Sequence, residues 1–215
     1  MSDPVLLDQY IINHISGEED YLHELDRETN LKVIGPRMLS GHLQGQILSM
    51  VSSMIKPRCI LEIGTFTGYS ALCLAKGLAE GGLLHTIEID DELESIAQKY
   101  FIKSGMGNNI VQHIGDARQI IPTINQSFDL VFIDADKRDY CEYYHLVFDK
   151  MPVGGFLLAD NILWNGKVAD PEAAEEAQTR GILEFNDLVQ NDRRVKNVIL
   201  PVRDGIMVVQ KVAEF

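Results

Sequence analysis

The sequence predicts an α/β protein with a doubly wound, mostly parallel seven-stranded sheet that ends in an antiparallel hairpin and follows a set of N-terminal helices. Three observations carry this. From residue 59 onward, short apolar runs alternate with helical stretches, the signature of a parallel sheet covered on both faces. The runs are continuous rather than alternating in polarity, as strands buried on both sides require. The last two runs, 195–200 and 206–212, are joined only by Pro201-Val202-Arg203-Asp204-Gly205. That connection is too short for a parallel crossover, so the pair must be a hairpin.

Each element has its own local signal. Asp3-Pro4 reads as an N-cap followed by proline at the first helical position. Val5, Leu6, Ile11, Ile12 and Ile15 then recur at helical spacing. A second, acidic helix is expected over 18–28. A third begins near Ser40 and is expected to bury Leu43, Ile47, Met50, Val51 and Met54, with Pro57 marking its end. Strands are expected at 59–63, 84–89, 110–114, 129–133 and 156–159. Helices at 69–79, 91–103, 118–123 and 140–150 separate them. Asp90 caps the helix at 91–103, Leu93, Ile96, Ala97, Tyr100 and Phe101 form its apolar side, and Gly105 stops it. A last helix over 171–190 precedes the hairpin. There are no repeats and no Pro/Gly/Ser linker. The chain therefore reads as one domain, with 1–57 a helical preface and 58–215 the core.

Composition narrows the function. The 215 residues carry 19 basic and 32 acidic side chains, a formal charge of −13. Such a chain repels polyanions and lacks the basic stripe of nucleic-acid binders, so nucleic acids and anionic membranes are not expected partners. The start, MSDP, has no basic region before an apolar run. The longest stretch without charge, 38–55, is too polar for a membrane span. The three cysteines show no CxxC spacing, so neither a disulfide framework nor a zinc site is indicated. Cys59 and Cys73 are expected as small buried hydrophobes, and cytoplasmic residence is the simple reading.

The chemistry collects at strand ends, where open α/β sheets bind ligands. Glu62-Ile63-Gly64-Thr65-Phe66-Thr67-Gly68 closes the first strand. Phe66 stands where a dinucleotide fingerprint needs its second glycine, so a pyrophosphate lacks its usual cradle. Glu88 ends the second strand, where an acid commonly accepts from both hydroxyls of a ribose. Gly115-Asp116-Ala117 follows the third and could bracket an adenine. Together these suggest a nucleoside pocket without a phosphate site, the description of S-adenosylmethionine. The fourth strand ends in Asp134-Ala135-Asp136-Lys137 and the fifth in Asp160-Asn161. Asp134, Asp160 and Asn161 are three hard oxygen donors suited to magnesium.

The stretches LEIGTFTGYS (61–70), IEID (87–90), GDA (115–117), FIDADKRDY (132–140), DNILWNGKV (160–168) and LPVRDG (200–205) resemble the metal-dependent class I O-methyltransferases, the Rossmann-like catechol and caffeoyl-CoA O-methyltransferases. The resemblance spans about residues 30–212. It implies that Asp134, Asp160 and Asn161 are metal ligands for a divalent cation, magnesium with manganese or calcium as alternatives. It implies that Glu62, Gly64, Ser70, Glu88, Ala117, Asp134 and Asp136 contact the cofactor, with Met38 and Ser40 closing over it. Lys137 matches the family's general base and Trp164 an aromatic beside the substrate. A homodimer built through the N-terminal helices is also implied. Three positions depart. Plant members usually carry threonine at position 40, glutamate at 44 and glycine at 203, where this chain has Ser40, Gln44 and Arg203.

The expected activity is methyl transfer from S-adenosylmethionine to a catechol-like phenol, a small molecule with adjacent hydroxyls. A phenol titrates near ~10, so a metal and a base that favour phenolate have a purpose. Lys137 must be neutral to take the proton, and a nearby cation would lower its pKa; an ion pair with Asp136 is the other role weighed for it. A methyltransferase for RNA or protein, a nicotinamide-dependent oxidoreductase and a non-catalytic binding module are the competing readings.

Overall fold

The computed structural model describes residues 4–214, so Asp3 of the expected cap lies outside the described residues. Seven strands form one sheet: β1 (Cys59–Ile63), β2 (Leu83–Glu88), β3 (Ile110–Ile114), β4 (Leu130–Ile133), β5 (Phe156–Asp160), β6 (Val195–Leu200) and β7 (Ile206–Lys211). Their order is β3-β2-β1-β4-β5-β7-β6. The first five are parallel, and β7 runs antiparallel to both β5 and β6. The expected hairpin is therefore present. From β1 the chain winds outward to β2 and β3, then returns to the other side for β4. That makes the carboxyl ends of β1 and β4 the switch point where such sheets open a crevice.

Helices α1 (Pro4–Asn13), α2 (Asp20–Lys32), α3 (Gly41–Ile55), α4 (Tyr69–Ala75), α5 (Glu94–Lys103), α6 (Ala117–Ile120), α7 (Tyr140–Phe148) and α8 (Ala177–Asn191) surround the sheet. Because successive strand side chains point to opposite faces, β1 and β4 serve two cores. Leu61, Ile63, Val131 and Ile133 pack with Tyr140, Tyr144 and Phe185 from α7 and α8. Ile60, Leu130 and Phe132 pack with Leu48, Leu72, Ala97 and Leu25 from α3, α4, α5 and α2. Cys59 and Cys73 are buried as expected.

Helix α3 departs from its expected face. Gln44, Gly45, Leu48 and Ser52 are buried, whereas Met50 and Met54 are 61% and 72% exposed, and Leu43, Ile47 and Val51 are half-buried. The reason is close helix packing through small residues. A Cβ on Gly45 would meet Tyr69 and Cys73 at 2.8 Å, and one on Gly77 would meet the Ser52 backbone at 2.2 Å. Ser52 Oγ also donates to Leu74 O at 2.7 Å. Apolar periodicity ranks methionine above glycine; the close approach of α3 and α4 reverses that ranking.

Other elements shift at their ends. Helix α2 runs to Lys32 rather than 28, and α4 stops at Ala75 rather than 79. Helix α8 begins only at Ala177, because Glu176 is extended (φ −67°, ψ 131°) and separates it from a short 3-10 turn at Ala173–Glu175. Asp90 caps as expected, accepting from Glu92 N, but at a 3-10 turn over Asp91–Leu93 that leads into α5. Helix α2 is fastened to α5 by Glu28, which accepts from Lys99 Nζ at 2.5 Å and Tyr100 Oη at 2.6 Å.

Candidate active site

A cavity of about 1450 Å³ opens at the carboxyl ends of the strands. By strand order its edge carries Ala117 after β3, Glu88 on β2, Gly64 after β1, Asp134 after β4 and Asp160 on β5. All five line the cavity, together with Met38, Ser40, Ser70, Asp136, Lys137, Asn161 and Trp164. Glu62 is the one expected site residue that does not. It is 0% exposed and lies beneath the wall, accepting from Thr86 Oγ1 at 2.5 Å.

The β1 turn makes this edge accessible to a ligand. Gly64 has φ +98°, and a Cβ there would sit 2.0 Å from Asp134 O. Only glycine allows that approach of β1 to β4. Phe66, at φ +48°, turns its N–H to Glu88 Oε2 at 2.7 Å. Glu88 Oε1 also accepts from Ile89 N and Asp90 N at 2.9 and 3.1 Å. A carboxylate has about four acceptor sites, so these three bonds leave acceptor capacity on Glu88 open toward the cavity.

Between β4 and β5 the polar groups interlock. Lys137 is 5% exposed and donates to Asp134 Oδ1 and Tyr140 Oη, both at 2.8 Å. Tyr140 Oη donates in turn to Asp160 O at 3.1 Å. The weighed alternative for Lys137, an ion pair with Asp136, is not what forms. Asp136 instead takes Arg138, whose Nε donates to its two oxygens at 2.9 and 3.0 Å. Burial pushes the Lys137 ammonium down, but Tyr140 and Asp134 outweigh it and hold the pKa above its ordinary 10.5. The neighbours that raise it are a carboxylate and a phenol; the expected lowering is one that a bound cation would supply.

Asp160 is buried, and its two oxygens have one donor each. Gln44 Nε2 reaches Oδ2 at 2.6 Å and the Asn161 N–H reaches Oδ1 at 2.8 Å. Burial and the nearby Asp134 carboxylate push its pKa up from 3.8 to about 6. Glu62 is pushed from 4.5 to about 8, first by burial, and further by Asp134 and Glu88, against the lowering hydrogen bond from Thr86. Carboxylates gathered closely enough to push Asp160 and Glu62 up make an edge that favours cationic ligands. Among the described residues no three His, Cys, Asp or Glu side chains form a metal-holding group. The triad Asp134, Asp160 and Asn161 has two carboxylates and one amide, all oxygen donors, and so fits a hard divalent cation.

Asn161 (φ +59°), Trp164 (φ +48°) and Asn165 (φ +53°) hold left-handed backbone in the loop after β5. Asp204 Oδ1 in the β6–β7 turn steadies this loop by accepting from Asn165 N at 2.5 Å. Trp164 is half-buried, packed against the core on one side and lining the cavity on the other. Tyr140 and Asp204 were not singled out from sequence. Tyr140 lies three residues after Lys137, which on a helix is a facing position and the one signal available.

Fold and cavity together define a Rossmann-like methyltransferase. The family model described as O-methyltransferase matches residues 12–212. The chain belongs to that family, which removes the oxidoreductase alternative. It is 30% identical to a caffeoyl-CoA O-methyltransferase of Stellaria longipes, over 96% of this chain and 90% of that protein. It is 33% identical to caffeoyl-CoA O-methyltransferase 2 of Petunia hybrida, over 95% and 90%. The O-methyltransferase TomG of Streptomyces achromogenes, solved in complex with SAM, superposes with a TM-score of 0.90 at 27% identity, covering 97% of this chain and 96% of that one. An O-methyltransferase of Bacillus cereus in complex with SAH gives 0.86 at 27%, covering 96% and 97%.

Proposed function

We propose that this protein moves the methyl group of S-adenosylmethionine to a hydroxyl of a catechol-like phenol. The supporting observation is that Glu88, Gly64, Asp134, Lys137, Asp160 and Asn161 line one cavity. The relatives named for caffeoyl-CoA favour a phenolic acceptor, and the SAM- and SAH-bound neighbours favour the cofactor.

In this reading the Gly64 backbone and the remaining acceptor capacity of Glu88 hold the nucleoside, with Ala117 against the adenine. Ser70, Asp136, Met38 and Ser40 complete the cofactor site, and Glu62 acts from beneath it. Asp134, Asp160 and Asn161 would hold a divalent cation, magnesium by donor hardness with manganese or calcium as alternatives, which when bound would engage adjacent hydroxyls and favour the phenolate. Trp164 flanks the aromatic ring. Lys137 takes the phenol proton. As an ammonium already donating to Asp134 and Tyr140, it acts only after losing its own proton. A second reading follows from those two bonds: Lys137 stays charged and steadies the phenolate.

The exposed apolar side chains Leu6, Leu7 and Tyr10 of α1 suit a homodimer. No helix among the described residues is long and apolar enough to cross a membrane, which accords with a cytoplasmic role. We read the whole chain as one methyltransferase domain.

The test is methyl transfer from labelled S-adenosylmethionine to catechols, caffeate derivatives and flavonoids, with and without chelator. Transfer lost on chelation and restored by magnesium or manganese is expected. Asp160→Ala should lose transfer and keep cofactor binding. Activity indifferent to chelator removes the metal, and an inert panel removes the phenol.

A further inference from the structure

The basic side chains along the cavity are mostly neutralised by carboxylates. Lys32 and Lys99 pair with Glu28, Arg118 with Asp116, Lys137 with Asp134, Arg138 with Asp136 and Lys167 with Glu176. Among the described residues, the cavity-lining Arg37 and Arg203 have no carboxylate within ion-pair reach. Arg37 is exposed, with no side-chain hydrogen bond among the described residues. Arg203 is tethered. Its Nη1 donates to Gln44 Oε1 at 3.0 Å, and both Nη atoms reach Leu39 O at 3.4 Å.

That tether sets where the charge stands. Gln44 bridges Arg203 to Asp160, donating to Asp160 Oδ2 at 2.6 Å. Two hydrogen bonds and the width of one amide keep the guanidinium within about 8 Å of the Asp160 carboxylate. This is comparable with the reach from a hydroxyl to a carboxylate across one benzene ring. Arg203 is exposed, so part of its fork is open to a ligand. Its partners are neutral oxygens, which leave the positive charge uncompensated. It also holds φ +51°, a backbone that glycine adopts without strain. The turn keeps an arginine where a glycine would be easier.

We propose that Arg203 recognises a carboxylate borne by the acceptor ring, so that the preferred substrate is a hydroxylated aromatic acid rather than a neutral catechol. This rests on reading the cavity as a phenol O-methyltransfer site. The guanidinium fork matches a carboxylate in a two-bond pairing, and charge-assisted bonds of this kind are the stronger ones. Gln44, fixed by the same arginine, would couple the recognised end of the acceptor to the reacting end at Asp160.

The experiment compares 3,4-dihydroxybenzoate with its neutral methyl ester, using catechol as the control, in wild type, Arg203→Ala and Arg203→Lys. The ester withdraws electrons from the ring at least as strongly as the carboxylate. A preference for the acid therefore does not arise from the phenol's own acidity. Wild type should favour the acid over the ester in kcat/KM by about tenfold or more, less so at high salt. Arg203→Ala should bring that ratio to near one, and Arg203→Lys should retain part of it as a point charge. A wild-type ratio near one overturns the proposal. So does an Arg203→Ala variant that slows both acceptors in parallel with the ratio intact, the mark of a purely positioning role through Gln44. If catechol and both derivatives are inert, the phenol reading itself fails. Calorimetric binding then decides: tighter acid than ester in wild type but not in Arg203→Ala supports the carboxylate site, and equal or absent binding overturns it.

Discussion

Glu62→Gln isolates the cost of a buried acid. Glu62 is 0% exposed, its Oε1 has no hydrogen-bond partner, and its pKa is raised from 4.5 to about 8. Between those values the folded chain keeps the proton and the unfolded chain has lost it. The folded state then binds more protons, so stability falls as pH rises, by about 1.4 kcal/mol per unit. The contribution is fully present below 4.5 and lost as pH climbs through 8. From pH 5.5 to 7.5 the wild type should lose about 2–3 kcal/mol more than Glu62→Gln. The amide adds a pH-independent penalty of its own, since its N–H groups meet the place where Oε1 has no partner. The slope with pH, not the absolute stability, is therefore the readout. Urea unfolding of both proteins at pH 5.5, 6.5 and 7.5, without cofactor, measures it. Slopes equal within about 0.5 kcal/mol over that range would falsify the buried-proton argument.

Three further outcomes are expected. Gly64→Ala should cost far more stability than Gly81→Ala, because a Cβ at 64 meets Asp134 O at 2.0 Å whereas one at 81 (φ +72°) meets open space; the latter should lose only about 1 kcal/mol, and equal melting shifts would refute the clash. Glu28→Gln should lower stability at neutral pH by about 1 kcal/mol. Lys32, Lys99 and Tyr100 depress the Glu28 pKa to about 2, so the gap between the two proteins should be whole above pH 4.5 and close as pH falls toward 2, as acid titration followed by circular dichroism would register. Lys137→Ala and Lys137→Arg should both slow methyl transfer by about 100-fold or more if Lys137 is the base; an arginine variant within tenfold of wild type would make it a fixed charge instead.

Much of the architecture is carried by local pattern. Strands β1 and β3 begin and end where their apolar runs do, and the five-residue link alone requires the β6–β7 hairpin. Strand ends collect ligands in any doubly wound sheet, so Gly64, Glu88, Ala117, Asp134 and Asp160 could be assigned to one edge from sequence. Partner choice was not legible in this way. Lys137 stands one residue from Asp136 yet bonds Asp134, because Asp136 turns to Arg138 at the start of the next 3-10 turn. Gln44 stood out in the sequence only as a departure from the family's usual glutamate, with no partner indicated. The packing of α3 on α4 through Gly45 and Gly77 rotates it inward to Asp160, 116 positions away. Arg203 joins that bridge from the hairpin turn. Hydrophobic periodicity and turn chemistry act over a few residues, so the sequence by itself determined the strands, their ends and the edge where ligands meet. The Gln44 bridge joins a helix to a strand end and a hairpin turn, each more than a hundred residues away, and even among near neighbours only the tertiary structure decided which donor meets which carboxylate.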